Sequence, residues 1–174
     1  MRNTRMHGNG FIQVDIAPDV RMHVWDVWPD FPAQKVRTPI HNHTFSFTSR
    51  VIKGCLHNRI FRLVRGKEYR FYQTIRGQLQ QTELSPVDFT TSIEVIREQI
   101  IDSGSTYQFP AGMFHESIPL DSPTITVMTI TEQGAAGPGP FVLVPPNIEP
   151  DNDFNRYQYS EDELDALVLK ALKA

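Results

Sequence analysis

The chain has 174 residues, of which 40% are hydrophobic and 21% charged, and its formal net charge is −3. That length suits one domain with a proper buried core. The mild negative charge argues against nucleic acid or an anionic membrane as the main partner. The single cysteine, Cys55, excludes an intrachain disulfide and a cysteine-rich zinc site. No apolar run reaches membrane-span length, and the first residues lack the apolar stretch of a secretory signal, so a cytoplasmic location is expected.

Short β-like runs, punctuated by glycine and proline, follow one another along most of the chain. Strands are expected at Phe11–Ile16 and Val20–Trp28, with Ala17-Pro18-Asp19 between them and a proline-rich loop at Pro29–Pro39. Phe45–Lys53 is a strand whose Phe45, Phe47, Ser49 and Val51 share the face of His41 and His43. Gly54 marks a turn or bulge before Leu56–Val64. Arg65-Gly66-Lys67 reads as a hairpin turn into Tyr69–Ile75, and a second turn near Arg76-Gly77 leads to Gln78–Leu84.

Ser92–Ile101 fits two patterns: its β-branched content favours a strand, while Val95, Ile96, Gln99 and Ile100 also make a helical stripe. The strand is preferred. Ser105–Phe109, His115–Ile118 and Thr124–Thr131 add further strands, with Phe141–Val144 as an edge piece. Many short strands at this spacing mean an all-β sandwich or barrel. Beyond Pro145 a polar linker runs to the capping box Ser160-Glu-Asp-Glu163, which opens a helix through about Lys170. Leu164, Leu167, Val168 and Leu172 form its apolar stripe. The expected organisation is a barrel domain over 1–144, then a linker and helix over 145–174 packed on the barrel, with a dimer contact as the helix's other use.

Three histidines carry the chemistry. In an extended strand the side chains at i and i+2 point to one face, roughly 7 Å apart. His41 and His43 of Ile40-His41-Asn42-His43 can therefore converge on one metal ion, and a third imidazole from a distant strand can complete the ligand face. His115 ends the run Gly104-x5-Pro110-x-Gly112-x2-His115, whose glycines and proline read as a turn that aims it. With ordinary glycine and proline usage, that spacing arises by chance on the order of 10⁻⁵ per register. The pairing with His-x-His is thus a strong signal.

These two motifs resemble those of the cupin superfamily. The first motif, His-x-His and a later glycine, is matched by His41, His43 and Gly54, and the second by Gly104, Pro110, Gly112 and His115. The similarity spans roughly residues 20–131 and implies an all-β cupin jelly-roll β-barrel, here with a short C-terminal helix. Phe47 and Thr48 stand where the family's glutamate ligand can fall, which leaves three neutral imidazoles as the metal ligands. Such a site keeps the full charge of a divalent metal and favours an anionic substrate or thiolate.

Within cupins, a three-histidine site resembles the thiol dioxygenases, of which cysteine dioxygenase is the best-known member. The resemblance implies one divalent metal ion, with Fe(II) favoured and Zn, Ni or Mn as alternatives. It also implies O2 as co-substrate and a small thiol or other small anionic metabolite as substrate. Cysteine dioxygenases often carry a cysteine just after His-x-His, cross-linked to a late-strand tyrosine. Here Phe47 and Thr48 occupy the first place, and Thr124–Thr131 has neither tyrosine nor the histidine that accompanies it. This points to a relative acting on another substrate. The alternatives are a non-redox Zn, Ni or Mn isomerase or hydrolase, and a non-catalytic barrel that binds a small ligand. A homodimer through edge strands is a further implication of the family.

Other residues have two readings each. Arg21, His23 and Trp25 share a strand face, which is either solvent-facing or turned inward to anchor a substrate anion. The cluster Arg59, Arg62, Arg65, Lys67, Arg70 and Arg76 is a solvated hairpin surface, or supplies one inward arginine for a carboxylate. His57 can face in or out, and His7 is expected in a mobile N-terminal arm away from the site. Only one of Tyr69 and Tyr72 can face a cavity. Glu116 alternates with His115 and so points away from the ligands, to the surface or behind them. Phe45, Phe47 and Phe114 make the pocket apolar or are plain core. Cys55 is expected to be a small buried hydrophobe.

Overall fold

The computed structural model describes residues 3–25, 40–76, 82–134, 139–150, 156 and 158–174. The expected Pro29–Pro39 loop, the end of the Val20–Trp28 run and the start of Gln78–Leu84 lie outside them. The described residues form β1 (Asn3–Met6), β2 (Ile12–Ala17), β3 (Val20–Trp25), β4 (Phe45–Lys53) and β5 (Cys55–Arg76). They continue with β6 (Thr82–Asp102), β7 (Thr106–Phe109), β8 (Phe114–Pro119), β9 (Thr124–Gln133), β10 (Phe141–Val144) and α1 (Glu161–Lys173).

All strand pairs are antiparallel. One sheet runs β1-β2-β3-β9-β4-β7, and the other runs β10-β5-β6 with β8 also on β5. Neighbours distant in sequence, such as β3 with β9 and β5 with β8, make this the double-sheet Greek-key arrangement of a jelly roll. The expected all-β jelly-roll barrel with a short C-terminal helix is what forms. Phe47, Val51, Leu56, Ile60, Phe109 and Met128 interdigitate between the sheets. No helix among the described residues is long and apolar enough to cross a membrane.

The outer face of the first sheet is also apolar, at Met6, Ile12, Val14, Met22 and Val24, and α1 covers it with Leu164, Val168 and Ala171. Ser160 caps the helix and the full capping box forms with Glu163. Leu172, expected in the buried stripe, is 47% exposed. The i, i+4, i+7 positions 164, 168 and 171 face the sheet, and 172 falls past the edge of that face.

The sequence pattern does not reveal β1, because its four residues carry a single apolar side chain, Met6; pairing with β2 and cover from α1 hold it in place. The expected hairpin at Arg65-Gly66-Lys67 is not a chain reversal. β5 continues through it, and β6 runs unbroken past Pro86. Instead the pairing slips between Val64 and Tyr69, so residues 65–68 bulge out of the ladder. Gly66 is needed there for close approach, since a Cβ would lie 2.5 Å from the Cβ of Ser92. Ser92–Ile101 is strand, as preferred. Its Val95, Ile96 and Ile100 are about half exposed on the outer strand, so no buried helical stripe exists.

Candidate metal centre and cavity

Backbone pairing brings the histidines together. His41 N–H donates to the His115 carbonyl (3.0 Å) and His115 N–H returns a bond to the His41 carbonyl (2.9 Å). This reciprocal bridge sets the two residues directly opposite each other. Beyond the ligand strand, Pro110 and Met113 close a turn (3.3 Å) around Gly112, whose φ of +80° suits glycine. The Gly112 N–H then docks on the His43 carbonyl at 2.8 Å. The turn read from the sequence thus fixes β8 against the His-x-His segment.

The ligand-capable atoms of His41, His43 and His115 lie within 4.8 Å of one another. His115 is buried, its ring stacked 4.1 Å from Phe109. Its Nδ1–H donates to the Met113 carbonyl at 3.0 Å, which turns Nε2 toward the other two rings. The Asn9 side-chain amide sits 3.4 Å from His41 Nδ1. Burial foremost, then the neighbouring imidazoles, holds His43 and His115 well below the usual histidine range. Neutral rings with free lone pairs are what a divalent metal requires, so this donor set fits one. Phe47 packs 5.2 Å from His43 and 6.0 Å from His115 and adds no charge.

A cavity of about 480 Å³, counting its open mouth, extends from the histidines into the barrel. Its apolar walls include Phe11, Phe47 and Met128, and its polar ones Gln13, Arg21, His23 and Tyr107. The face of Arg21, His23 and Trp25 is therefore turned inward. Asp15 holds Arg21 at 3.9 Å, and the guanidinium lies 5.4 Å over the Phe45 ring, which in turn is 4.9 Å from His43. Burial first, and the charge of Arg21 next, lower His23 to about 3. A second pocket of about 590 Å³ opens on the other side of the histidines, past Asn9 and Phe141.

Several single-residue expectations change. His7 is not remote: it stacks on Phe11 at 4.3 Å and lines both pockets, because β1 and the following turn fold over the site. His57 pairs with Glu98 at 2.9 Å and does not line the cavity. Three members of the basic cluster are spent in ion pairs within the protein. Arg59 binds the fully buried Glu116, Arg62 binds Glu94, and Arg70 binds Glu149. Arg21 is the arginine that reaches the cavity. Tyr69 and Tyr72 pack in separate apolar clusters away from it. Phe114 packs there too, against Phe71 at 5.8 Å. Cys55 is half-buried, and burial together with Asp102 raises its thiol, so it is not an activated nucleophile.

Ser49, Tyr107 and Ser117 also line the cavity. Alternation could have found them: Ser117 is two residues from His115, and Tyr107 is two from the inward Phe109. Burial raises the Tyr107 phenol to about 12, against the pull of the Ser49 and Ser117 hydroxyls.

Fold and site together define a jelly-roll barrel with a partly buried three-histidine cluster able to hold a metal ion. No family model matches the chain, and no curated protein matches it. Among solved structures it is similar to Bacillus subtilis oxalate decarboxylase, with 10% identity and a TM-score of 0.42 over 80% of this chain and 29% of that one. Hydroxypropylphosphonic acid epoxidase from S. wedmorenis is 14% identical, with a TM-score of 0.40 over 75% and 55% of the two chains. Oxalate oxidase is 15% identical, with a TM-score of 0.39 over 95% and 57%. The chain spans less than two thirds of the length of each.

Proposed function

We propose that the chain is a cupin metalloprotein in which His41, His43 and His115 hold one divalent metal ion. In this reading it acts as a non-haem Fe(II) dioxygenase on a small anionic metabolite, with a small thiol as the leading substrate. The observation that carries the reading is the convergence of three imidazoles within 4.8 Å, at the head of a cavity that also holds Arg21. Three protein ligands leave about three positions on a six-coordinate iron. When bound, a ferrous ion supplies the activation of O2 that no side chain can provide.

The chain's own residues do the rest. The Met113 carbonyl fixes the His115 ring, and the Arg21 fork receives a substrate carboxylate in two parallel hydrogen bonds. Phe11, Phe47 and Met128 keep water from the reacting groups. No carboxylate is among the cavity-lining residues, and burial holds the two lining histidines outside the ligand set, His7 and His23, well below the usual histidine range, so both are weak general bases for hydrolysis or isomerisation. That favours the oxygenase over a zinc, nickel or manganese hydrolase or isomerase.

The test is elemental analysis of protein purified without added metal, beside the variant with all three histidines changed to alanine. Stoichiometric iron that the variant lacks, followed by oxygen uptake with a carboxylate-bearing thiol, is the expected result. Iron-loaded protein that consumes no oxygen across a thiol panel overturns the dioxygenase reading. Absence of metal in both samples overturns the metal site.

A further inference from the structure

The far wall of the cavity carries polar groups that the three histidines do not use. Cα partners run in one row across the sheet, from Asp15 to Arg21, Met128, Ser49 and Tyr107. Side chains in such a row share a face, so Arg21 and Ser49 look into the same space across Met128, their backbones roughly 10 Å apart. Ser49 is 1% exposed and Trp25 is 8% exposed. Ser49 Oγ and Trp25 Nε1 have no hydrogen-bond partner among the described residues, although both side chains line the cavity. Ser49 is close enough to influence the Tyr107 phenol but makes no hydrogen bond of ordinary geometry to it. Buried donors are paired in nearly all folded proteins, and an indole N–H can only donate. An oxygen brought by a ligand completes the Ser49 hydroxyl, which lies in the row of Arg21, whereas Trp25 stands four residues further along its strand.

We propose that Ser49 and Tyr107 recognise a neutral oxygen, a hydroxyl or carbonyl, at the far end of a small carboxylate whose anionic end lies on Arg21. The substrate class is thereby narrowed to short carboxylates that are also hydroxylated or oxo-substituted. This rests on the anion site proposed at Arg21, and is independent of which metal, if any, the histidines hold. Tyr107, kept neutral by burial, can donate or accept, so the floor accommodates either oxygen type. Met128, 2% exposed, presents an apolar surface to the methylenes between the two ends.

The experiment is calorimetric titration with γ-hydroxybutyrate and with valerate, which differ by a hydroxyl in place of a methyl. It is run on chelator-treated protein and again on iron-loaded protein. The hydroxy acid should bind about tenfold more tightly to the wild type. Ser49→Ala and Tyr107→Phe should each shrink that ratio, and the double variant should erase it. Arg21→Gln should weaken both acids alike. Valerate binding as tightly as the hydroxy acid, or a preference that survives the double variant, overturns the floor. Loss of both acids in every sample removes the Arg21 anchor with it. A preference kept in protein that binds no iron leaves the floor standing and sinks only the metal reading.

Discussion

His23 shows what burial does to a single ring in this cavity. Its folded-state value of about 3 lies far below the ordinary histidine range, with burial the main cause and Arg21 the next. An unfolded chain takes up that proton near pH 6.5, and the folded protein does not until about pH 3. Between those values the unfolded state binds more protons, so stability falls as pH drops through the window. The contribution reaches about 1.4 kcal/mol per pH unit. His23→Gln should make the pH dependence of the unfolding free energy shallower by up to that amount, read from urea titrations at successive pH values. Matching slopes would mean that the ring protonates as readily folded as unfolded.

At the scale of elements, two sites bear strain or burial that a substitution exposes. Gly66 sits where a Cβ would meet both the Cβ and the backbone nitrogen of Ser92, so β5 and β6 cannot close around alanine. Gly66→Ala should cost about 1–3 kcal/mol in unfolding free energy. No loss would show that the bulge gives way freely. Leu164 is wholly buried between α1 and the outer face of β1–β3. Leu164→Ala should destabilise by about 2–5 kcal/mol, seen as a lower thermal midpoint.

The same elements show what the sequence could convey. Phe45–Lys53 and Phe141–Val144 were legible to the residue, the first by period-two alternation and the second as a short apolar run between Pro140 and Pro145, both local signals. The His-x-His and Pro-x-Gly spacings are local too, and the turn at Gly112 forms as read. The bulge at residues 65–68 was not legible, since glycine marks a turn and a close approach alike and only the partner strand decides. Nor was the place of His7. Its role depends on β1 pairing with β2 under a helix some 157 residues away, which no window of sequence contains. The inward turn of Arg21 likewise needed β9 beside β3.

At the scale of the whole molecule, a metal bound by residues from the His-x-His segment and β8 links the His41–β10 region to the long β5 strand. Ligand held by the native state alone stabilises by mass action, about 2.7 kcal/mol at a hundred times the dissociation constant. Ferrous iron added anaerobically should raise the unfolding midpoint of the wild type and leave the triple-alanine variant unmoved. An equal shift in both would place the iron elsewhere.

β1 has one further consequence. Its backbone and side chain at Thr4 are tied to Glu161 and Asp165, the second bond being 2.6 Å long, and its outer face is sealed by α1. On the ribosome β1 emerges before α1, and at about 5–20 residues per second the helix follows roughly 10–30 s later. Throughout that interval Met6, Ile12, Val14, Met22 and Val24 have no helix over them, and the roof carrying His7 and Asn9 is unsupported. The nascent chain therefore exposes a sticky sheet face until α1 arrives, and a premature stop before residue 160 leaves both that face and the entrance to the histidines unfinished.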